Sequence, residues 1–237
     1  MRTKILLIVA VIATAFPFQD ARALVSQVAL DNTADGTAAL TSSSISLSSN
    51  GTRRRAVTFT TPGEQIYITS LRFGFQRNPN VSAPATYNLH IDLMAANGSN
   101  LPTGSALATV SQSVTVTTTP VYFTYDVATL PGSTFDDYRL LANTKYSVVV
   151  YASGGDGTFG LIWNATGSLP AASNGFTYNT LALSADSGSS WGSNTSVMSS
   201  FNMMFAPVPV PEPGNAVLAG VLTIALAAGL GWRRLRA

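Results

Sequence analysis

Residues 87–93 read Tyr-Asn-Leu-His-Ile-Asp-Leu, and every second side chain in this stretch is apolar. Successive side chains of a β-strand point to opposite faces, so the alternation predicts a strand that is buried on one face only. The same period of two recurs in residues 71–75 and 121–127. Residues 146–151 are apolar on both faces apart from one serine and predict a central strand. Such strands are typical of an antiparallel sheet.

Turn residues punctuate the chain between these stretches, as in Thr61-Pro62-Gly63 and the glycine-rich run at residues 154–157. No stretch before Ala216 keeps a helical period, and about nine or ten short strands can be counted between the turns. The pattern predicts an all-β fold, a two-sheet antiparallel β-sandwich that is jelly-roll-like. The connection from Ala96 to Thr109 is long for a hairpin, so we expect it to be a Greek-key crossover between the sheets.

The N-terminal 23 residues have the three parts of a secretory signal peptide. Arg2 and Lys4 precede a short apolar run, and Ala21 and Ala23 form a small-x-small site, which predicts signal-peptidase cleavage after Ala23. A buried helix or an uncleaved anchor is the alternative.

The last thirty residues have three parts in a fixed order. The tripeptide Pro211-Glu212-Pro213 comes first, and an apolar run at residues 216–232 follows it. As a helix with a rise of about 1.5 Å per residue, this run spans roughly 25 Å, near the minimum for crossing a bilayer. Basic residues after the run predict that the C-terminus stays in the cytoplasm and that the preceding chain lies outside. These membrane-stop residues are Arg233, Arg234 and Arg236.

The composition favours an extracellular β-rich protein, because only 10% of the residues are charged and none is cysteine. Disulfides, thiol catalysis and thiolate metal sites are therefore excluded. The pI of about 9.0 arises from the two ends. Between Leu24 and Val210, seven Arg and Lys residues face nine Asp and Glu residues, so no nucleic-acid partner is expected.

The one histidine, His90, stands two positions before Asp92 on the outward face of its predicted strand. A hydrolase would need a nucleophile and an orienting acid around it, and none of the common hydrolase or phosphate-binding motifs is present. A solvated strand position is the favoured interpretation. We expect no enzyme and keep hydrolase as a remote alternative.

Two ligand sites are suggested. Asp31 and Asp35 are candidate calcium ligands, although the loop lacks the downstream glutamate of an EF-hand and would also serve as a capping turn. Flat aromatic rings stack on sugars, and the aromatic candidates for a carbohydrate contact are Trp191 and Tyr178, with Trp163 and Tyr151. Large aromatic residues usually belong to a core, and Trp191, in a serine-rich stretch, is the best surface candidate.

The run Arg53-Arg54-Arg55 leads into a predicted strand. Three adjacent cations could meet an acidic polysaccharide or a lipid headgroup. We favour the alternative that they protect an exposed edge strand from pairing with other chains.

The C-terminal stretch resembles the PEP-CTERM sorting signal of Gram-negative bacteria, in its tripeptide, hydrophobic span and Arg233-Arg234. The resemblance implies recognition of Pro211, Glu212 and Pro213 by an exosortase, an integral-membrane cysteine transpeptidase, in an organism that makes exopolysaccharide. Residues 25–205 are similar to the type R group of choice-anchor extracellular domains. This similarity is carried by Asp31-Asn32-Thr33, by Leu101-Pro102-Thr103-Gly104 and by residues 141–150, and it implies a location but no reaction.

These observations predict a signal peptide at residues 1–23, a β-sandwich at 24–206 and a sorting signal at 207–237. The expected partners are the secretion machinery, an exosortase, the inner membrane during transit and extracellular polysaccharide. We expect a structural or adhesive protein of the cell surface or matrix, linked to exopolysaccharide or biofilm. The alternative is a carbohydrate-binding module, with or without calcium.

Overall fold

The computed structural model describes residues 25–36, 38–48, 50–80, 86–154, 160–194 and 199–208. The side chains of Asp35, of residues 41–45 and of Asn194 are outside this description. The chain divides into two compact units, and the described residues belong to the unit Leu24–Val208. The other unit, which holds the signal peptide and the sorting signal of the sequence analysis, lies outside the described residues.

The described part of the chain is built from thirteen strands and one short 3-10 helix at Ala34–Gly36, without an α-helix. In chain order the strands are β1 (Gln27–Asp31), β2 (Thr41–Leu47), β3 (Arg54–Thr60), β4 (Ile66–Arg77), β5 (Thr86–Ala96), β6 (Pro102–Thr115), β7 (Val121–Tyr125), β8 (Lys145–Ser153), β9 (Leu161–Ala165), β10 (Ala171–Ala172), β11 (Thr177–Ser184), β12 (Gly192–Asn194) and β13 (Phe201–Pro207).

The strands form two sheets, and all their pairings are antiparallel. The seven-stranded sheet has the order β10-β1-β13-β4-β9-β2, with β7 also paired to β4. The six-stranded sheet has the order β12-β11-β3-β8-β5-β6. The predicted all-β fold with two antiparallel sheets is confirmed. Within the described residues, no helix has the length and apolar character that a membrane crossing requires.

The hydrophobic core lies between the two sheets. Phe176 contacts Phe59 of β3 on one side and Phe205 of β13 on the other, with ring centroids 6.1 and 4.8 Å apart. The alternation read from the sequence places the side chains as expected in β4 and β5. The buried set is Leu71, Phe73, Phe75, Tyr87, Leu89, Ile91 and Leu93. In β7 the alternation is only partly obeyed, because Tyr125 is buried while Val121 is 45% exposed.

Phe73, on β4, is the centre of an aromatic cluster within this core. Its ring lies 5.3 Å from that of Trp163 in an edge-to-face arrangement, and the rings of Phe75, Tyr125 and Phe201 are within about 6 Å. Aromatic pairs of this geometry contribute about 0.5–1.5 kcal/mol beyond the area that they bury. Such a core helps a chain that has no cysteine to hold its two sheets together.

The outer face of the seven-stranded sheet is covered by the segment that follows β1. Leu40 lies so close over Gly74 of β4 that an added Cβ would be 2.6 Å from its Cδ2 atom. The same Cβ would be 2.8 Å from the hydroxyl of Ser200, which accepts a hydrogen bond from the Gly74 N–H. Only glycine fits here without displacing its neighbours.

Asn32 fixes the start of this covering segment. Its Nδ2 atom donates to the carbonyls of Ser168 and Ser199, at 2.8 and 3.1 Å, and its Oδ1 accepts from the N–H of Phe201 at 2.7 Å. The motif Asp31-Asn32-Thr33 therefore has a structural role, because it joins three segments that are distant in sequence.

The connection after β5 differs from the expected crossover. Ala96 pairs with Pro102 and Leu93 pairs with Ala108, so β5 and β6 form a hairpin within one sheet. The turn is closed by Asn97, whose Oδ1 accepts from the N–H groups of Ser99 and Leu101. A register shift between Leu93 and Ala95 takes up the extra length that suggested a crossover.

The expectation that the arginine run protects an edge strand is wrong. Strand β3 lies inside its sheet, between β11 and β8. Arg55 shares the inner face with Val57 and is only 6% exposed, while Arg54 points to the outer face. Burial, and secondarily the like charge of Arg53, lowers the pKa of Arg55 to about 10.

Candidate functional site

A row of polar and aromatic side chains crosses the outer face of the six-stranded sheet. The rings of His90 on β5 and Tyr151 on β8 stack with centroids 4.7 Å apart and planes 11° from parallel. From β3, on the other side of β8, the guanidinium of Arg54 lies 4.1 Å above the same tyrosine ring. Cross-strand neighbours hold both faces of Tyr151, which leaves only the ring edge for a ligand.

Both ring nitrogens of His90 are occupied by serine hydroxyls. Nε2 lies 2.6 Å from the Oγ of Ser153, and Nδ1 lies 2.7 Å from the Oγ of Ser111. Burial is the main reason that the pKa of His90 is lowered; the charge of Asp92 opposes this shift and that of Arg54 adds to it. The nearby Asp92 accepts a hydrogen bond from the Thr109 hydroxyl at 2.6 Å.

These side chains do not form the hydrogen-bonded chain of nucleophile, base and orienting acid that a hydrolase needs. In a serine hydrolase one imidazole nitrogen contacts the nucleophile while the other contacts a carboxylate. Among the described residues, no carboxylate is hydrogen-bonded to the His90 ring. His90 and Asp92 do share the outward face that the alternation predicts, and there they belong to a cross-strand ladder.

Trp191 lies on the same outer face, in the loop between β11 and β12. It is half-buried and packs against a small apolar cluster made of Ala56, Val149 and Ala182. Because these side chains are short, a large ring can lie over the middle of the sheet. Tyr151 packs against the same cluster, so Tyr151 and Trp191 belong to one surface. We call Trp191, Tyr151, His90 and Arg54 the outer-face site.

The loop that carries Trp191 is held by Asp186. Its Oδ1 accepts from the Ser184 hydroxyl at 2.7 Å and from the Ser190 N–H at 2.9 Å, and its Oδ2 accepts from the Ser190 hydroxyl at 2.6 Å. These hydrogen bonds, those from Ser190 foremost, lower the pKa of Asp186 to about 2. A loop fixed in this way presents its tryptophan with little ordering cost on binding.

Gly188 lies where this loop approaches Arg54. A Cβ at this position would lie 3.5 Å from the Cδ of Arg54 and 3.6 Å from the Cζ2 of Trp191. Arg54 and the indole of Trp191 therefore both lie beside one glycine. The outer-face site combines a half-exposed ring with a cation, groups that suit a sugar bearing a carboxylate.

Tyr178 does not accompany Trp191. It packs against the main core and pairs in register with Phe59, and burial raises its pKa. The shallow pocket that it lines with Pro170 has no room for a water molecule. Trp163 is fully buried and donates its indole N–H to the Ser200 carbonyl. Of the four aromatic candidates, the structure brings Trp191 and Tyr151 together, buries Trp163 in the core and packs the half-buried Tyr178 against it.

Asp31 acts as a turn cap. Its Oδ1 accepts from both the N–H and the hydroxyl of Thr33, at 2.7 Å each, directly before the 3-10 helix. The side chain of its proposed co-ligand Asp35 lies outside the described residues. Across the part of the chain that the structure describes, no three His, Asp or Glu side chains come close enough together to hold a metal ion.

The remaining predicted site residues lie in the other unit and outside the described residues. They are Ala21 and Ala23 of the signal-peptidase site, Pro211, Glu212 and Pro213 of the sorting motif, and Arg233, Arg234 and Arg236 of the basic tail.

No known protein family matches the chain, and neither a curated protein nor a solved structure matches it. Function is therefore inferred from the residues of this chain alone.

Proposed function

We propose that the chain is an exported, non-enzymatic protein that an exosortase processes and that then acts as a structural and adhesive element of the cell surface or extracellular matrix. The observation that carries this proposal is the ordered C-terminal signal, with the tripeptide at 211–213 before the apolar run at 216–232 and the arginines after it. The signal peptide at 1–23 supports export across the inner membrane of a Gram-negative bacterium.

The tripeptide is suited to recognition by an enzyme just outside the membrane. Pro209, Pro211 and Pro213 favour an extended and solvated backbone, and Glu212 supplies a single charge for a recognising pocket. The C-terminal span is proposed to hold the chain only until the exosortase acts. An ordinary single-span anchor with a proline-rich stalk is the competing explanation.

The jelly-roll-like arrangement of the two sheets is also a proposal. Successive strands repeatedly change sheet, as from β2 to β3, from β3 to β4 and from β4 to β5. Such switching supports a jelly-roll-like sandwich, and the proposed choice-anchor type R kind rests on the sequence resemblance alone. The hydrogen bonds between the two ring nitrogens of His90 and two serine hydroxyls, with no carboxylate on the ring among the described residues, support a non-enzymatic role.

Carbohydrate binding is the second candidate function. The observation that favours it is the half-exposed Trp191 beside Arg54 on the outer face of the six-stranded sheet. A polysaccharide of the matrix that carries carboxylates would stack on the indole and pair with the guanidinium. Adhesion and binding would then be two descriptions of one activity.

Processing is tested with the full chain in the organism that produces it, by mass spectrometry of the C-terminal peptide of surface protein. We expect mature protein that lacks residues 216–237, and we expect Glu212→Gln to leave unprocessed chain in the inner membrane. Glu64→Gln is the matched control, because Glu64 is the other glutamate of the chain and is exposed. Surface protein that still contains Trp232 would contradict processing.

Carbohydrate binding is tested by retardation of the protein in gels that contain the host exopolysaccharide. Trp191→Ala should abolish the retardation and Trp191→Phe should retain part of it. Tyr178→Phe serves as the control, because this ring packs inside the sandwich. Equal migration of the wild type with and without polysaccharide would remove this function and leave the processing proposal intact.

A further inference from the structure

Strand β6 forms one edge of the six-stranded sheet and is unusually long and uncharged for an edge. It runs from Pro102 to Thr115, and none of its fourteen residues is Asp, Glu, Lys or Arg. Natural proteins commonly protect edges with charges, bulges or very short strands. Within the described residues, the opposite edge of this sheet, β12, has three residues, and the edge strand β10 of the other sheet has two. By comparison, residues 111–115 of β6 have neither charges nor a bulge.

The β6 edge is covered near its middle, at Thr109. Thr109 donates its N–H to the hydroxyl of Thr134 at 2.9 Å, and its carbonyl accepts from the Thr134 N–H at 3.0 Å. Both backbone groups of Thr109 therefore point away from β5. A bulge opposite Leu93 to Ala95 further distorts the pairing before this point.

Among the described residues, no strand pairs with the part of the edge that follows Thr109. Because backbone groups alternate in direction along a strand, those of Ser111, Ser113 and Thr115 point to the same side as those of Thr109. The register with β5 is continuous from Ala108 to Thr115, so no bulge changes this alternation. All three side chains are exposed. The N–H and C=O groups at these positions thus form a row along the edge, without a partner strand in the part of the chain that the structure describes.

This row is complementary to itself. When a strand pairs antiparallel with its own copy around a central residue, each outward N–H meets an outward C=O of the other copy. The absence of charge means that no like charges face each other in such a pair. We propose that residues 111–115 of β6 pair with the same residues of a second copy of this chain, with the two Ser113 residues opposite each other.

In this register, Ser111 of one copy lies opposite Thr115 of the other, and roughly six backbone hydrogen bonds join the two copies. The pairing joins the six-stranded sheets of the two copies into one continuous sheet. Because it uses the backbone of β6, it does not depend on the carbohydrate contact or on processing of the tail.

Single cysteines test the register, because the full chain has no cysteine of its own. Directly opposed residues of an antiparallel pair have Cα atoms about 5.5 Å apart, within the range of about 4.4–6.8 Å that a disulfide allows. We expect Ser113→Cys, in the full chain purified in mild detergent, to form a covalent dimer at least about ten-fold faster than Ser105→Cys under the same oxidant. Ser105 is an exposed serine of the same strand, outside the proposed pairing segment.

Ser111→Cys tests the centre of the pairing, because the two introduced thiols would lie about 13 Å apart along the strands. It should cross-link as slowly as the Ser105 variant. A separate measurement by sedimentation should show a dimer that Ser113→Lys weakens at least ten-fold and that Ser105→Lys does not affect. Equal cross-linking at all three positions, or a wild-type chain that sediments only as a monomer at high concentration, would overturn the proposal.

Discussion

Replacing Asn32 by alanine should destabilise the fold more than the loss of a typical polar side chain. Asn32 is 7% exposed and makes three hydrogen bonds, to the carbonyls of Ser168 and Ser199 and from the N–H of Phe201. Ser199 and Phe201 are themselves buried, so the alanine variant leaves one donor and one acceptor without a partner away from water. Each such group costs about 1–3 kcal/mol, so the two together predict a loss of about 2–6 kcal/mol.

The assay is equilibrium unfolding in urea, followed by the intrinsic tryptophan fluorescence, to which the buried Trp163 contributes. Asn179→Ala is the matched control, because Asn179 also donates one hydrogen bond, to the Thr60 hydroxyl, but is only half-buried. Its loss should be at most about 1 kcal/mol. Asn32→Asp keeps the acceptor for Phe201 but replaces the donors by oxygen, so it should not restore stability. A loss for Asn32→Ala no larger than that for Asn179→Ala would refute the reasoning.

Three further predictions concern packing and pH. Gly74→Ala should lower the free energy of unfolding by about 1–3 kcal/mol, because the added methyl group overpacks against Leu40. Part of this loss should be recovered when Leu40 is also replaced by alanine. Equal losses in both backgrounds, measured from denaturation midpoints, would contradict the contact. An NMR titration should give His90 a pKa below the usual value of about 6.5, because burial disfavours the charged ring. The contribution of the neutral ring to the stability of the fold should therefore be complete above about pH 6.5, and it should be lost as the pH falls through the lowered pKa. Asp186, with a pKa of about 2, should hold its loop fully above about pH 4 and release it as the pH falls toward 2. The accessibility of Trp191 to a fluorescence quencher should rise over this range in the wild type, and it should be high and independent of pH in Asp186→Asn.

The core could be predicted from the sequence where burial follows a local period. In β4 and β5 the apolar side chains alternate without interruption, and Leu71 and Leu89 are buried as this pattern requires. The pattern fails in β6, because Gly104, with a φ of +77°, and several small side chains interrupt the alternation. Closure of the hairpin there depends on the side chain of Asn97, which periodicity does not represent.

The position of a strand within its sheet could not be predicted from its own residues. Strand β3 is central because β8 and β11, which are far away in sequence, pair with its two edges. The run Arg53-Arg54-Arg55 carries no information about these pairings. Its residues serve different purposes: Arg55 is buried on the inner face and Arg54 covers Tyr151 on the outer face.

The candidate site illustrates how one irregularity changes which aromatic residues share a surface. The register between β11 and β3 shifts between Tyr178 and Thr180. Tyr178 lies an odd number of positions from the inward-facing Leu181, so in a regular strand without the bulge it would point outward. With the bulge it lies opposite Phe59 and faces the core. Tyr151 has no such irregularity and stays on the outer face beside the cluster that supports Trp191.

The outer-face site therefore offers a ligand one ring face and not two. Tyr151 lies between His90 and Arg54, so a sugar could reach only the edge of its ring. Trp191 lies over the short side chains of Ala56 and Ala182, with its other side unsupported by a stacking neighbour among the described rings. A sugar ring stacks only on an open aromatic face, so any stacking at this site has to depend on Trp191. Selectivity for sugars that carry a carboxylate has to come from the charge of Arg54. Tyr151→Ala should accordingly weaken binding only by releasing Arg54, and Tyr151→Phe should leave it unchanged.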